Sequence, residues 1–103
     1  MSDKSYKVII SQKAADMLIS HSRFIANVSE KATIQFINEF NEKAKSLENF
    51  PERNPYIIYP MIPEGKYRKL VIVRKYLLIY QIKDENVFVD AILDCRQDYK
   101  WLL

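Results

Sequence analysis

Three β-rich runs, residues 67–73, 76–83 and 86–95, follow one another through the short connections Arg74-Lys75 and Asp84-Glu85. A connection of two residues reverses the chain into a hairpin. Parallel neighbours would need a crossover of a dozen or more residues. The three runs are therefore expected to pair in sequence order as an antiparallel meander. That requirement limits the fold more than any other feature of the chain.

The preceding half carries a different period. Residues 5–10 alternate, with Tyr6, Val8 and Ile10 on one side, and read as a first strand. Ser11 is placed to cap a helix whose apolar stripe is Ala14, Leu18, His21, Ile25 and Val28. Asn27 to Ser29 interrupt it, and Ser29 can cap a second helix. The stripe of that helix is Thr33, Phe36, Ile37, Phe40, Ala44 and Leu47. So short an interruption implies an antiparallel helical hairpin. Phe50-Pro51 ends the second helix, since a proline disfavours helix at the residue before it. Residues 52–64 contain Pro55, Pro60 and Pro63 and form a shaped loop, with Tyr56, Ile57, Ile58 and Tyr59 expected to fold down onto the domain. Residues 97–103 are expected to form a last helical turn. The order β-α-α-β-β-β predicts an α+β fold. In it a helical hairpin covers one face of a small antiparallel sheet and the other face stays partly open.

At 103 residues the chain is expected to be one domain, 1–103, with a core that needs no staples. A lone cysteine, Cys95, cannot close an internal disulfide and reads as a small buried hydrophobe. The opening MSDKSYKVII lacks the apolar run of a signal peptide, and no segment reaches membrane-spanning length, so a cytoplasmic location is expected.

Chemistry is concentrated in the cations. The net charge is only +3, yet residues 53–75 hold Arg53, Lys66, Arg68, Lys69, Arg74 and Lys75 against the single anion Glu64. Lys66, Arg68, Lys69, Arg74, Lys75 and Arg96 are the candidate anion- or target-binding residues, and Arg96 at the end of the last run can join Arg68 across the sheet. Nearby Tyr67, Tyr76, Tyr99 and Trp101 suit phosphate contact with base stacking. An acidic protein partner would use the same surface equally well. The bland alternative is that these side chains solvate an edge and a turn. His21 and Cys95 lie too far apart for a metal-site spacing, and His21 on an apolar stripe reads as a packed histidine. The single glycine, Gly65, excludes a phosphate-cradling glycine loop. No metal or cofactor is expected.

Nearly the whole chain resembles the RelE/ParE superfamily of toxins from type II toxin–antitoxin pairs. The resemblance runs through the opening strand 6–10, Ala14 to Leu18, then Phe36, Phe40 and Leu47 leading to Pro51. It continues through Tyr67-Arg68 and Tyr76-Leu77-Leu78-Ile79-Tyr80-Gln81-Ile82, and closes with residues 87–93 running into Arg96-Gln97-Asp98. The long helical hairpin and the closing Arg-x-Asp look more like the ParE branch.

The resemblance implies a growth-inhibiting toxin held in a hetero-oligomer by a cognate antitoxin, which lays an amphipathic helix or extended segment across it. ParE-like members poison DNA gyrase by binding. RelE-like members enter the ribosome and cut mRNA with the RNA's own 2′-hydroxyl as nucleophile. An inactive descendant would keep only antitoxin binding. If the chain cleaves, the resemblance assigns catalysis to Arg68, Arg96 and Tyr99. Leu77 and Leu70 stand where cleaving members carry an Arg and a Lys. Removing one donor that stabilises transition-state charge typically costs ~3 kcal/mol, so the binding reading comes first.

Overall fold

The computed structural model describes residues 5–96. Strand β1 (Lys7–Ile10) leads into helix α1 (Gln12–Ala26), helix α2 (Glu30–Ser46), a short 3-10 turn (Pro51–Arg53), and strands β2 (Arg68–Ile72), β3 (Tyr76–Lys83) and β4 (Asn86–Asp94). Both caps are made by the serines expected to make them. Ser11 Oγ accepts from Ala14 N–H at 3.0 Å and Ser29 Oγ from Ala32 N–H at 3.1 Å, satisfying donors that a helix start leaves without intrahelical partners.

The sheet order is β1-β4-β3-β2. Strands β2, β3 and β4 form the expected antiparallel meander, and β1 adds to it parallel to β4. The sheet is thus mixed rather than wholly antiparallel. The reason lies in the direction of α1, which does not fold back over β1 but runs on beside the far half of β4. Ser11 N–H donates to Val89 O, and His21 Nε2 lies 2.7 Å from Ile92 O. Helix α2 then returns to the start of β1, where Tyr6 N–H donates to Glu48 O at 2.9 Å. The next strand must re-enter in the sense of β1, and two hairpins later β4 runs in that sense too.

A bulge sharpens the core. Ile79 pairs with Ala91 and Tyr80 with Val89, leaving Asp90 as an extra residue in β4. The inward phase therefore switches, so Val87, Val89 and Ile92 all join Phe36, Phe40, Leu47, Leu78 and Tyr80 under the helices. On the other face, Ile57 and Ile62 of the long loop cover Tyr67, Ile79, Ala91 and Leu93. That loop closes much of a face expected to be open. It does so with Ile57 alone of the neighbouring apolar pair, for Ile58 is 92% exposed.

Candidate partner-binding groove and the dispersed cations

The β2–β3 connection is Val73-Arg74-Lys75, one residue longer than expected, because β2 ends at Ile72 and pairs it with Tyr76. Val73 and Arg74 have φ of 41° and 66°. Hairpin geometry calls for such left-handed residues and normally finds Asn or Gly there. The turn is held from α2, where Glu39 Oε2 accepts from Val73 N–H at 2.6 Å.

This turn faces the tip of the helical hairpin across a groove of about 1110 Å³. Phe24, Val28, Val71 and Val73 give it apolar walls, while Glu39, Lys43, Arg74, Lys75, Asp94 and Arg96 add charge. Phe24 and Val28 are strongly exposed. Val28, expected on the buried stripe of α1, falls beyond the helix and stands in the open instead. An adjoining hollow of about 520 Å³ is bounded by Ser20, His21, Phe24, Tyr76, Asp94 and Arg96. His21 is packed as expected, its ring 4.8 Å from that of Tyr76. A carbonyl can only accept, so Nε2 donates to Ile92 O. Burial, followed by the nearby Asp94 carboxylate, raises the Tyr76 phenol above its usual pKa of 10.0.

Arg96 is 83% exposed, yet its guanidinium is already engaged. Nε and Nη2 donate to the two carboxylate oxygens of Asp94 at 3.1 and 2.9 Å. These hydrogen bonds hold the Asp94 pKa at about 2. Cys95, expected to be buried, is exposed on the same rim. It follows the last strand residue, so no second layer covers it.

The structure brings Arg74, Lys75 and Arg96 to one groove and leaves Arg68 elsewhere. Arg68 pairs with Tyr80, whereas Asp94, two residues before Arg96, pairs with Tyr76. Four residues of β3 separate the two levels, about 13 Å of strand. The Arg68 guanidinium lies 3.9 Å over the Tyr56 ring, and one of its terminal nitrogens donates to Glu52 O at 2.9 Å and Asn54 O at 2.6 Å. It locks the entrance of the long loop. Beside it, Tyr80 Oη donates to Pro51 O and accepts from Asn54 Nδ2. Lys66 is exposed, with its ammonium 5.1 Å over the Tyr67 ring. Lys69 is half-buried on β2 and its N–H donates to Pro55 O. Tyr99 and the expected last turn lie outside the described residues. Sequence reasoning missed Glu39, because a helix carboxylate beside the apolar stripe carries no sign that it will accept from a distant turn.

The positions expected to carry cations in a cleaving relative are packed. Leu70 lies against the core under the helices and Leu77 against the core under the loop. Among the described residues, no group of three or more His, Cys, Asp or Glu side chains is placed to hold a metal ion, and no helix is long and apolar enough to cross a membrane. The groove's chemistry suits an amphipathic segment, with apolar side chains for its walls and mixed charge for its rim.

Residues 8–99 match the family described as ParE toxin of type II toxin-antitoxin system, parDE. A solved chain of the chromosomal ParDE TA system from P. aeruginosa shares the fold, with a TM-score of 0.69 at 15% identity, over 88% of this chain and 97% of that one. No curated protein matches the chain in sequence.

Proposed function

From the premise that the chain belongs to the ParE toxin family of type II toxin–antitoxin systems, we propose that it arrests growth by binding DNA gyrase. In the same reading, a cognate antitoxin silences it by laying an apolar segment in the groove of Phe24, Val28 and Val71. Arg74, Lys75 and Arg96 on the rim then meet carboxylates of that segment. The observation that carries binding over cleavage is the position of Arg68. One of its terminal nitrogens is held by the Glu52 and Asn54 carbonyls, and its level on β3 is about 13 Å of strand from that of Asp94, two residues before Arg96. Phosphodiester cleavage needs donors converging on one phosphorus, where charge builds up in the transition state.

The test is to induce the chain without its antitoxin and follow DNA damage and mRNA integrity separately, with purified gyrase in a supercoiling assay alongside. A DNA-damage response with intact mRNA and inhibited supercoiling is expected. Rapid loss of ribosome-bound mRNA with normal supercoiling would overturn the reading in favour of an endonuclease. Normal growth at full expression would leave only the antitoxin-binding role.

A further inference from the structure

The loop between the 3-10 turn and β2 is built to hold two aliphatic side chains out in water. Ile58 is 92% exposed and Met61 82%, three residues apart. Scattered exposed apolar residues need no explanation, but these two are fixed in place. Ile57 and Ile62, their immediate neighbours, are buried against Tyr67, Ile79, Ala91 and Leu93. The backbone is tied to the domain by Ile57 N–H to Tyr67 O at 2.8 Å, and the tip is closed as a turn by Ile62 N–H to Tyr59 O at 3.2 Å. Met61 has a φ of 73°, a left-handed conformation that an unbranched non-glycine side chain adopts at a cost of ~1–2 kcal/mol. Strain of this kind persists only where surrounding contacts impose it, and it clusters at binding elements. A preformed tip also loses little conformational entropy when it docks, the main saving available to a binding surface.

We infer that the Ile58–Met61 tip is the contact that inserts into the toxin's macromolecular target, and that this target is a protein with an apolar socket bordered by carboxylates. The chemistry of the tip favours protein over nucleic acid. Aliphatic side chains fill apolar sockets but offer no face on which a base can stack. The nearby aromatics are engaged with the domain: one face of Tyr56 is covered by the Arg68 guanidinium, Tyr59 and Tyr67 pack against the core under the loop, and Lys66 lies over the Tyr67 ring. Charge points to carboxylates at the socket's border. From residue 52 to 69 the chain carries Arg53, Lys66, Arg68 and Lys69 against Glu52 and Glu64. The tip packs on the sheet face opposite the helices, whereas the groove lies between the helices and the β2–β3 turn. Target and antitoxin thus have separate primary contacts.

The inference rests on the proposed toxin function, and the test separates the two. The double variant Ile58→Ser/Met61→Ser is compared with the conservative Ile58→Leu/Met61→Leu and the unaltered chain, using purified gyrase in a supercoiling assay and growth arrest in cells. Because both side chains already stand in water, the serine variant is expected to keep its melting temperature and its antitoxin affinity. Its half-inhibitory concentration is expected to rise at least tenfold and its growth arrest to fade, while the leucine variant retains both. Unchanged inhibition by the serine variant would overturn the inference. If the unaltered chain does not inhibit gyrase, that reading fails alone, and growth arrest then decides. Arrest lost only in the serine variant supports a different protein target, and arrest that persists overturns the inference. Loss of binding to single-stranded RNA or duplex DNA probes by the serine variant, with protein contacts intact, would also overturn it.

Discussion

Glu39, in the middle of α2, holds Val73 in a left-handed turn by a single charge-assisted hydrogen bond of 2.6 Å. The bond links the helical hairpin to the meander at the point where the backbone is least comfortable. Hydrogen bonds to a charged partner contribute about 1.5–3 kcal/mol. Glu39→Ala is therefore expected to destabilise the domain by about 2 kcal/mol in urea unfolding, and Glu39→Gln by roughly half as much, since an oxygen acceptor remains. Amide exchange should accelerate first at Val73 to Lys75. Equal stability of Glu39→Ala and the unaltered chain would show that the turn holds itself.

Arg68 should behave as a structural residue. Arg68→Ala leaves the carbonyls of Glu52 and Asn54 without their donor and uncovers Tyr56. A loss of about 1–3 kcal/mol is expected, discounted toward the lower end because the Glu52 contact is exposed. Lysine restores charge without the plane that lies over Tyr56, so Arg68→Lys should recover only part of it. Thermal unfolding with proteolysis of residues 54–66 would check this. Lost activity at unchanged stability would instead make Arg68 a contact residue.

What the sequence made legible follows from local rules. Ser11 and Ser29 announced both helices, and the short connections announced the meander, because caps and hairpins depend on a few adjacent residues. The parallel placement of β1 depends on where α1 points, which no local pattern records. The extra residue at Asp90 was hidden for a similar reason. Residues 86–95 read as one β-rich run, and only pairing with β3 reveals the change of phase. The cations were visible as a set but not as separate groups. Arg68 and Arg74 look alike in sequence, yet one turns inward to carbonyls and the other lines a groove. Exposure of Ile58 beside buried Ile57 is likewise a matter of which side of a pinned loop each occupies.

Asp94 sets an acid limit on the far end of β4. Its carboxyl titrates at about 2 rather than 3.8, chiefly through hydrogen bonds from Arg96. A depressed folded-state pKa adds stability above the unfolded value, and that contribution is lost as pH falls through the folded one. Stability should therefore drop between about pH 4 and pH 2 by an amount that added salt reduces, since Arg96 is exposed. In Asp94→Asn the part of the slope due to this group should vanish. Urea midpoints measured at half-unit steps across that window would show it, and an unaltered slope in the variant would assign the acid limit to other carboxylates.

The groove makes the antitoxin reading testable without disturbing the fold. Phe24 is 63% and Val28 83% exposed, so a charge at either position is placed in water rather than in the core. Phe24→Asp and Val28→Asp are expected to change stability by less than about 0.5 kcal/mol, the usual range for surface substitutions. A docked apolar segment would bury the same positions, and a buried unpaired carboxylate is costly. Each variant should thus weaken antitoxin binding by at least tenfold, about 1.4 kcal/mol, with the larger effect at Phe24, since aromatic anchors dominate interfaces. Reversing charge on the rim with Lys75→Glu should act differently, slowing association and weakening its dependence on salt, because exposed charges steer encounter more than they hold a complex together. Titration calorimetry with stopped-flow association would separate the two effects. If Phe24→Asp binds the antitoxin as tightly as the unaltered chain, the apolar segment lies on another face, and the groove between the hairpin tip and the Val73–Lys75 turn has some other occupant.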